Sequence, residues 1–411
     1  MAHIATICAA LALAAAGPAS AASLPTLQAA LTRQTGIAGP GSSVYAYDLS
    51  AHQTLFSARA GVLRPPASVE KLYTATTALE RLGAAARLST TVLGEGTLGA
   101  EGVWEGSLYL RGGGDPTFGS QSFIRSHYGG LGASVSALVA QLVHGEGIRE
   151  VTGSIEGDES YLNSARGEPS SGFAPDPFLE GTLSGLAFDR GQSGSEGGPH
   201  APALYAAHQL WAALERAGVR VDGAAGSAVT PASAGPLASV RSPTLAQLLG
   251  LMLPPSDNFF AETLLKDLGA LFGGAGSTGA GAEVVKATIG ADFGIHPQVV
   301  DGSGLSRSDH TSTAQVAGLL IALASTPLGA VLRGDLAVAG HTGTLAHRMR
   351  RSAAAGNCQG KTGTLIGASN LVGYCKSASG HLLVFASFDD GISVGLAHEV
   401  QDHIAIALAR Y

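Results

Sequence analysis

Lysine is scarce in this chain, five residues in 411, and charged residues of both signs make up only 13%. With a formal net charge of −7 and no dense Lys/Arg run, a nucleic-acid surface is excluded. Three cysteines are too few for a disulfide-rich scaffold. The 13 histidines show neither H-E-x-x-H nor Cys/His ligand spacing, so no metal and no cofactor is expected. Beyond the opening residues no apolar run is long enough to cross a membrane. Disorder is excluded as well, because 45% of the residues are hydrophobic.

What is present is glycine, 58 residues, which implies many turns in a chain long enough for one to three domains. The opening "MAHIATICAALALAAAGPASAAS" has an apolar stretch from Ile4 to Ala16, then Gly17-Pro18 and small residues for cleavage near Ala21. Residues 1–21 therefore read as a secretory signal, and the chain as exported to the periplasm or cell envelope. No Lys or Arg precedes the apolar stretch, which leaves a membrane anchor or a buried helix as alternatives. Once the signal is removed, Cys358 and Cys375 remain, a candidate pair for one disulfide.

Along the chain, "SSVYAYDLSAHQTLFSAR" alternates like two strands joined by a turn. "RPPASVEKLYTATTALERLG" follows as a helix with Val69, Leu72, Leu79 and Leu82 on its apolar stripe. From about Leu88 to Ser239 short strands mix with Gly, Pro and Ser loops, the texture of a β-rich insert. Helical periodicity returns at "PTLAQLLGLML". The end carries two strand signals, "KTGTLIGASNLVGYC" and "HLLVFASF", and then an apolar helix that would pack on a sheet.

Three short motifs carry the chemistry. Ser68 and Lys71 stand three residues apart, which on a helix puts an amine beside a hydroxyl. A serine hydroxyl needs a base within hydrogen-bond reach, and lysine serves only when neutral, far below its free pKa of ~10.4. Ser256-Asp257-Asn258 opens another helix, where such residues also favour a plain N-cap. Lys361-Thr362-Gly363 opens a strand. Each pattern alone is weak; each occurs once, in the order S-x-x-K, S-x-N, K-T-G. "HTG" at His341–Gly343 is a variant of the third motif, but no strand follows it. "GISVG" at Gly391–Gly395 matches a nucleophile elbow, yet only 16 residues follow, and Asp402 and His403 are chain neighbours. No triad can be built there. "GGGDP" reads as a turn, and "DGSGLSR" as a loop near the cleft, with Arg307 a candidate substrate contact.

The ordered triplet resembles the active site of penicillin-recognising serine acyl-transferases. Its context is similar to the class C penicillin-binding proteins, the D-alanyl-D-alanine carboxypeptidase/endopeptidase family. The blocks that carry the likeness are "PPASVEKLYTA", "LYLRGGGDPTF", "PPSDNFFAETLLK", "VDGSGLSR", "HTGTLAHRMR" and "GKTGTLIGASNLVGYC". The first two motifs lie 256 − 68 = 188 residues apart. Class A β-lactamases keep them much closer and place a Glu-x-x-Leu-Asn loop downstream, which is not found here.

The resemblance implies an α+β fold: a β-lactamase/DD-peptidase-like catalytic domain with an antiparallel sheet flanked by helices. That domain would be discontinuous, residues 22–88 and 238–411, interrupted by an inserted region at 89–237. It implies a serine-type D-Ala-D-Ala carboxypeptidase that forms an acyl-enzyme on Ser68 and binds β-lactams, penicillin included, covalently. Ser256 would relay a proton to the leaving amine, and Asn258 would hold Lys71 and the substrate amide. Lys361, Thr362 and Thr364, with Gly363 between them, would receive the terminal carboxylate of a peptidoglycan stem peptide. The oxyanion would sit between the backbone N–H groups of Ser68 and Thr364. An endopeptidase, a β-lactamase and a non-catalytic wall-binding relative remain open. Finally, a hairpin turning at Ile366-Gly367 pairs residues whose numbers sum to 733, so Lys361 faces Val372 and Cys358 faces Cys375.

Overall fold

The computed structural model describes residues 21–191 and 200–411. The stretch read as a secretory signal lies outside the described residues, apart from Ala21.

Six antiparallel strands form the first sheet, in the order Ala337–Val338, Cys358–Leu365, Ala368–Lys376, Leu382–Asp390, Ser42–Asp48, Gln53–Ala58. Its middle strands are buried on both faces, and alternate side chains go to different cores. Leu371, Cys375, Leu383 and Phe385 pack on Leu27 and Leu31 of helix Leu24–Ala38 and on Ile404 and Leu408 of helix Val394–Arg410. Val372, Tyr374, Val384 and Phe388 pack on the opposite side, against Leu72, Phe260, Leu264 and Leu320. Those residues belong to helices Lys71–Leu82, Asn258–Phe272 and Thr313–Leu323.

The hairpin after Lys361 turns at Ile366-Gly367. Its register pairs Lys361 with Val372 and Cys358 with Cys375, and the two cysteines form a disulfide. The outermost strand, Ala337–Val338, meets only Gly360 and Gln359. Among the described residues, 361–365 therefore have no strand partner on their outer side.

A second sheet starts at Ser89 and ends with a strand that reaches Arg241. Ser89–Leu98 is antiparallel to Val103–Arg111 and to Gly235–Arg241; Glu150–Val151 and Ile155–Asp158 join Val103–Arg111 in parallel, and are themselves joined in parallel by Arg220–Val221 and Ala225–Ser227. Parallel pairing needs crossovers. Helices Val135–Ala140 and Pro202–Arg216 cover this sheet, through Leu138, Ala206, Leu210 and Leu214 against Val92, Leu108 and Leu110. Among the described residues no single helix is long and apolar enough to cross a membrane.

Candidate active site

Ser68 sits in a single 3-10 turn, Ala67–Glu70, that feeds the helix beginning at Lys71. The turn is wedged in place. Asn370 of the sheet donates to the carbonyls of Pro65 (2.9 Å) and Pro66 (2.7 Å). A Cβ on Gly363 would stand 2.5 Å from the Pro66 carbonyl and 3.2 Å from the Ser68 nitrogen, so the Lys361 strand passes tightly along the turn. A Cβ on Gly304 would meet the Ala67 carbonyl at 1.9 Å. Ala67 itself has φ 48 and Ser256 φ 69, two left-handed non-glycine residues beside the cleft. Such backbone costs on the order of 1–3 kcal/mol each and persists only where the surroundings enforce it.

Lys71 is fully buried and reaches three acceptors: Ser68 Oγ at 3.0 Å, Asn258 Oδ1 at 2.6 Å and the Ser303 carbonyl at 2.7 Å. The Asn258 amide is oriented by its other end, because Nδ2 donates to the carbonyl of Phe178 at 2.8 Å. Two of the three acceptors, Asn258 Oδ1 and Ser303 O, cannot donate. A neutral Lys71 must spend its two N–H groups on them, and its lone pair is then left facing the Ser68 hydroxyl. On the other wall, Lys361 Nζ donates to Ser256 Oγ at 2.7 Å and to the Thr362 carbonyl at 2.9 Å. Thr362 Oγ1 donates to Thr344 Oγ1 at 2.8 Å, and Thr364 is exposed two residues on.

Three segments far apart in sequence thus meet in one place. The sequence profile of the D-Ala-D-Ala carboxypeptidase 3 (S13) family matches residues 25–176 and 197–411. The chain belongs to this family. A D-alanyl-D-alanine carboxypeptidase of Actinomadura sp. (strain R39) is 32% identical to it, over 93% of this chain and 84% of the relative. A carboxypeptidase of Mycobacterium tuberculosis is 29% identical over 78% of this chain and 70% of its own length. Among solved structures, penicillin binding protein 4 of Haemophilus influenzae superposes with a TM-score of 0.74 at 21% identity, covering 91% of this chain and 97% of that one. The same protein complexed with a β-lactam gives 0.70.

In this S13-family site the two lysines are both depressed, by different surroundings. Burial pulls Lys71 down to about 8, against the opposing charges of Asp301, Glu262, Asp257 and Glu70. Lys361 falls well below the usual lysine range, through burial first and then repulsion from Lys71. Burying an ammonium is costly, and the neighbour that acts next after burial, Lys71, is itself a lysine, so both causes push Lys361 the same way.

Behind Lys71 lies a set of buried acids. Glu262 Oε1 accepts from the backbone of Gly302 (2.9 Å) and Ser303 (2.7 Å), which aims the Ser303 carbonyl at Lys71. Asp301 accepts from Gly304 (2.6 Å) and Ser306 (2.7 Å), and Asp309 from Val300 (2.6 Å). Burial raises all of them: Glu262 to about 8, Asp309 to about 11, and Asp301 and Glu70 in the same direction.

These shifts set a stability profile. A carboxyl whose folded pKa exceeds its unfolded value of about 4 stabilises fully below that value. Its contribution is lost as pH rises through the folded pKa, near 8 for Glu262. Lys71, lowered to about 8, acts in reverse and relieves its burial penalty only between pH 8 and about 10.4. The thermal midpoint is expected to fall steadily from pH 5 to pH 8 and to flatten above. A scanning-fluorimetry series in which it rises over pH 5–8 would contradict the neutral state of these acids.

Other singled-out residues fall elsewhere. Ser393 of "GISVG" is the N-cap of the last helix, accepting from Leu396 N. Arg307 donates to the Ile366 carbonyl at the hairpin tip (2.6 Å). The "HTG" stretch forms no strand, yet it is not remote from the cleft: Thr344, next in the chain, touches Thr362. Its repeat of the Thr-Gly-Thr pattern was the only hint. Ser303 and Phe178 act through backbone carbonyls and had no side-chain signal to find.

Proposed function

We propose that the chain is a serine-type D-Ala-D-Ala carboxypeptidase that removes the terminal D-alanine of peptidoglycan stem peptides and is acylated by penicillin. The observation that carries this reading is the 3.0 Å contact of Ser68 Oγ with a buried Lys71 whose other two acceptors are fixed. Lys71 takes the Ser68 proton as Oγ attacks the carbonyl carbon of the scissile bond. Oxyanion charge is met by the backbone N–H groups of Ser68 and Thr364. The proton that Lys71 took is relayed through Ser256 to the departing amine, leaving both as they began; D-alanine leaves, and water then adds to the acyl carbon while its proton returns to Ser68 Oγ as the ester bond breaks. The substrate's terminal carboxylate beside Lys361, Thr362 and Thr364 supplies the charge that keeps Lys361 protonated, so binding and proton uptake are coupled. The catalytic module comprises residues 22–88 and 238–411, with 89–237 as the insert, and the protein works outside the cytoplasm.

Intact-mass measurement after penicillin G tests it. One adduct, mapped to Ser68 and absent in Ser68→Ala, is expected, together with D-alanine release from diacetyl-Lys-D-Ala-D-Ala. Absence of any adduct would point to a non-catalytic wall-binding relative. Cleavage of cross-linked muropeptides without D-alanine release would make the enzyme an endopeptidase.

A further inference from the structure

The Ser256-Asp257-Asn258 segment is gripped from outside its own module, and we infer that Arg190, in the second-sheet region, is a positioning residue for catalysis. The inference rests on the reading of the site proposed above.

Arg190 is only 8% exposed, and its guanidinium pairs with Asp257 Oδ2. Its Nε donates to the Tyr128 hydroxyl at 2.8 Å, and its Cζ lies 5.4–5.6 Å from the ring centres of Tyr128, Phe259 and Phe260. The backbone that presents it is held in an unfavourable form: Asp189 has φ 48 and Arg190 φ 62. Asp189 is tied down by the N–H (2.7 Å) and hydroxyl (2.9 Å) of Ser120. Two adjacent left-handed non-glycine residues are tolerated where the side chain they aim has a task.

The task follows from what Asp257 does. Its Oδ1 caps the helix by accepting from Phe260 N at 3.1 Å, while Oδ2 faces Arg190. The same region supplies the Phe178 carbonyl to Asn258. Asp257 and Asn258 are thus both clamped from residues 178–190. On either side of Asp257, Ser256 holds Lys361 and Asn258 holds Lys71. A rotation of Asp257 would loosen both lysine contacts at once.

There is an electrostatic consequence as well. Among the described residues, the charged and titratable groups around Arg190 are Asp257, Glu180, Tyr128 and, lining the same pocket, His127. Those acting on Lys71 are Asp301, Glu262, Asp257 and Glu70, with Lys361 repelling it. Arg190 offsets the charge of Asp257. Without it Asp257 pulls harder on the Lys71 proton, and the free base forms at higher pH.

The experiment compares the full chain with Arg190→Gln, Arg190→Lys and, as a control, Arg166→Gln, which breaks the Arg166–Glu159 pair in the same region. Penicillin acylation is followed by intact mass as a function of pH, alongside thermal midpoints. Arg190→Gln is expected to acylate on the order of 10–100-fold more slowly, the range for a displaced catalytic contact, with the rising limb of its pH profile moved upward. Arg190→Lys keeps a cation against Asp257 and is expected to lie about 3–10-fold below the unsubstituted chain with the limb restored. Arg166→Gln should lose stability without losing rate. An unchanged rate and profile in Arg190→Gln overturns the inference, as does an equal loss of rate in Arg166→Gln. Should Arg190→Gln not fold, Arg190→Lys decides alone, and an unaltered rate in it overturns the inference. No adduct on the unsubstituted chain would instead overturn the reading of the site itself.

Discussion

Lys71→Ala is expected to slow acylation of Ser68 by about 10²–10⁴-fold, the range for losing a positioned general base. The sharper test is Lys71→Arg. Arginine would preserve a cation at this position, but it cannot give up its proton in a protein. If Lys71 worked as a charge that organises the cleft, arginine would rescue part of the rate. If it works as a base, arginine is as inactive as alanine, which is the expected result. Acylation of the unsubstituted chain should rise with pH through about 8, where Lys71 loses its proton. Stopped-flow acylation with a chromogenic β-lactam reads both outcomes, and substantial activity in Lys71→Arg would end the base assignment.

Gly363→Ala is the second large effect. The added Cβ would meet a backbone oxygen, Pro66 O at 2.5 Å, and not the yielding end of a long side chain. Either the Lys361 strand or the nucleophile turn must retreat, and they are the two elements whose backbone N–H groups would face the oxyanion. The expected result is a loss of acylation of about 10²–10³-fold, comparable to removing one oxyanion donor. Overpacking should cost roughly 1–3 kcal/mol of stability as well. Rates and denaturant midpoints measured on the same preparation separate the two. A folded Gly363→Ala with full activity would show that the strand and turn need not touch.

The amino-acid pattern disclosed the chemistry more readily than its supports. Ser68, Lys71, Ser256, Asn258 and Lys361 could be picked out because each belongs to a short local pattern and the three patterns keep an order. The register of the Lys361 hairpin followed from one turn, since antiparallel pairing leaves no further freedom. What holds these residues was hidden. The Ser303 and Phe178 carbonyls exist at every position of a chain, so nothing marks the two that matter. Glu262 and Arg190 look like ordinary charges until the fold buries them. The helix Leu24–Ala38 was passed over although Ser23 caps it and a proline sits in its first turn, because it adjoins the alanine-rich stretch read as a secretory signal. Strands of two to four residues in the second sheet are too short for any periodicity to register. The depression of Lys361 is a property of enclosure, which composition does not reveal.

Among the described residues, 361–365 lack a neighbouring strand on their outer side, which has a consequence for selectivity. A bare β-edge ordinarily invites another chain to align with it, the first step towards aggregation. Here it is only a few residues long and ends at a tight turn, too short to hold a long foreign ribbon. It would suit a brief peptide tail, which could dock through main-chain hydrogen bonds that any amino acid can make. Such a berth would grade ligands by length and by their free end, and would be largely indifferent to the side chains they carry.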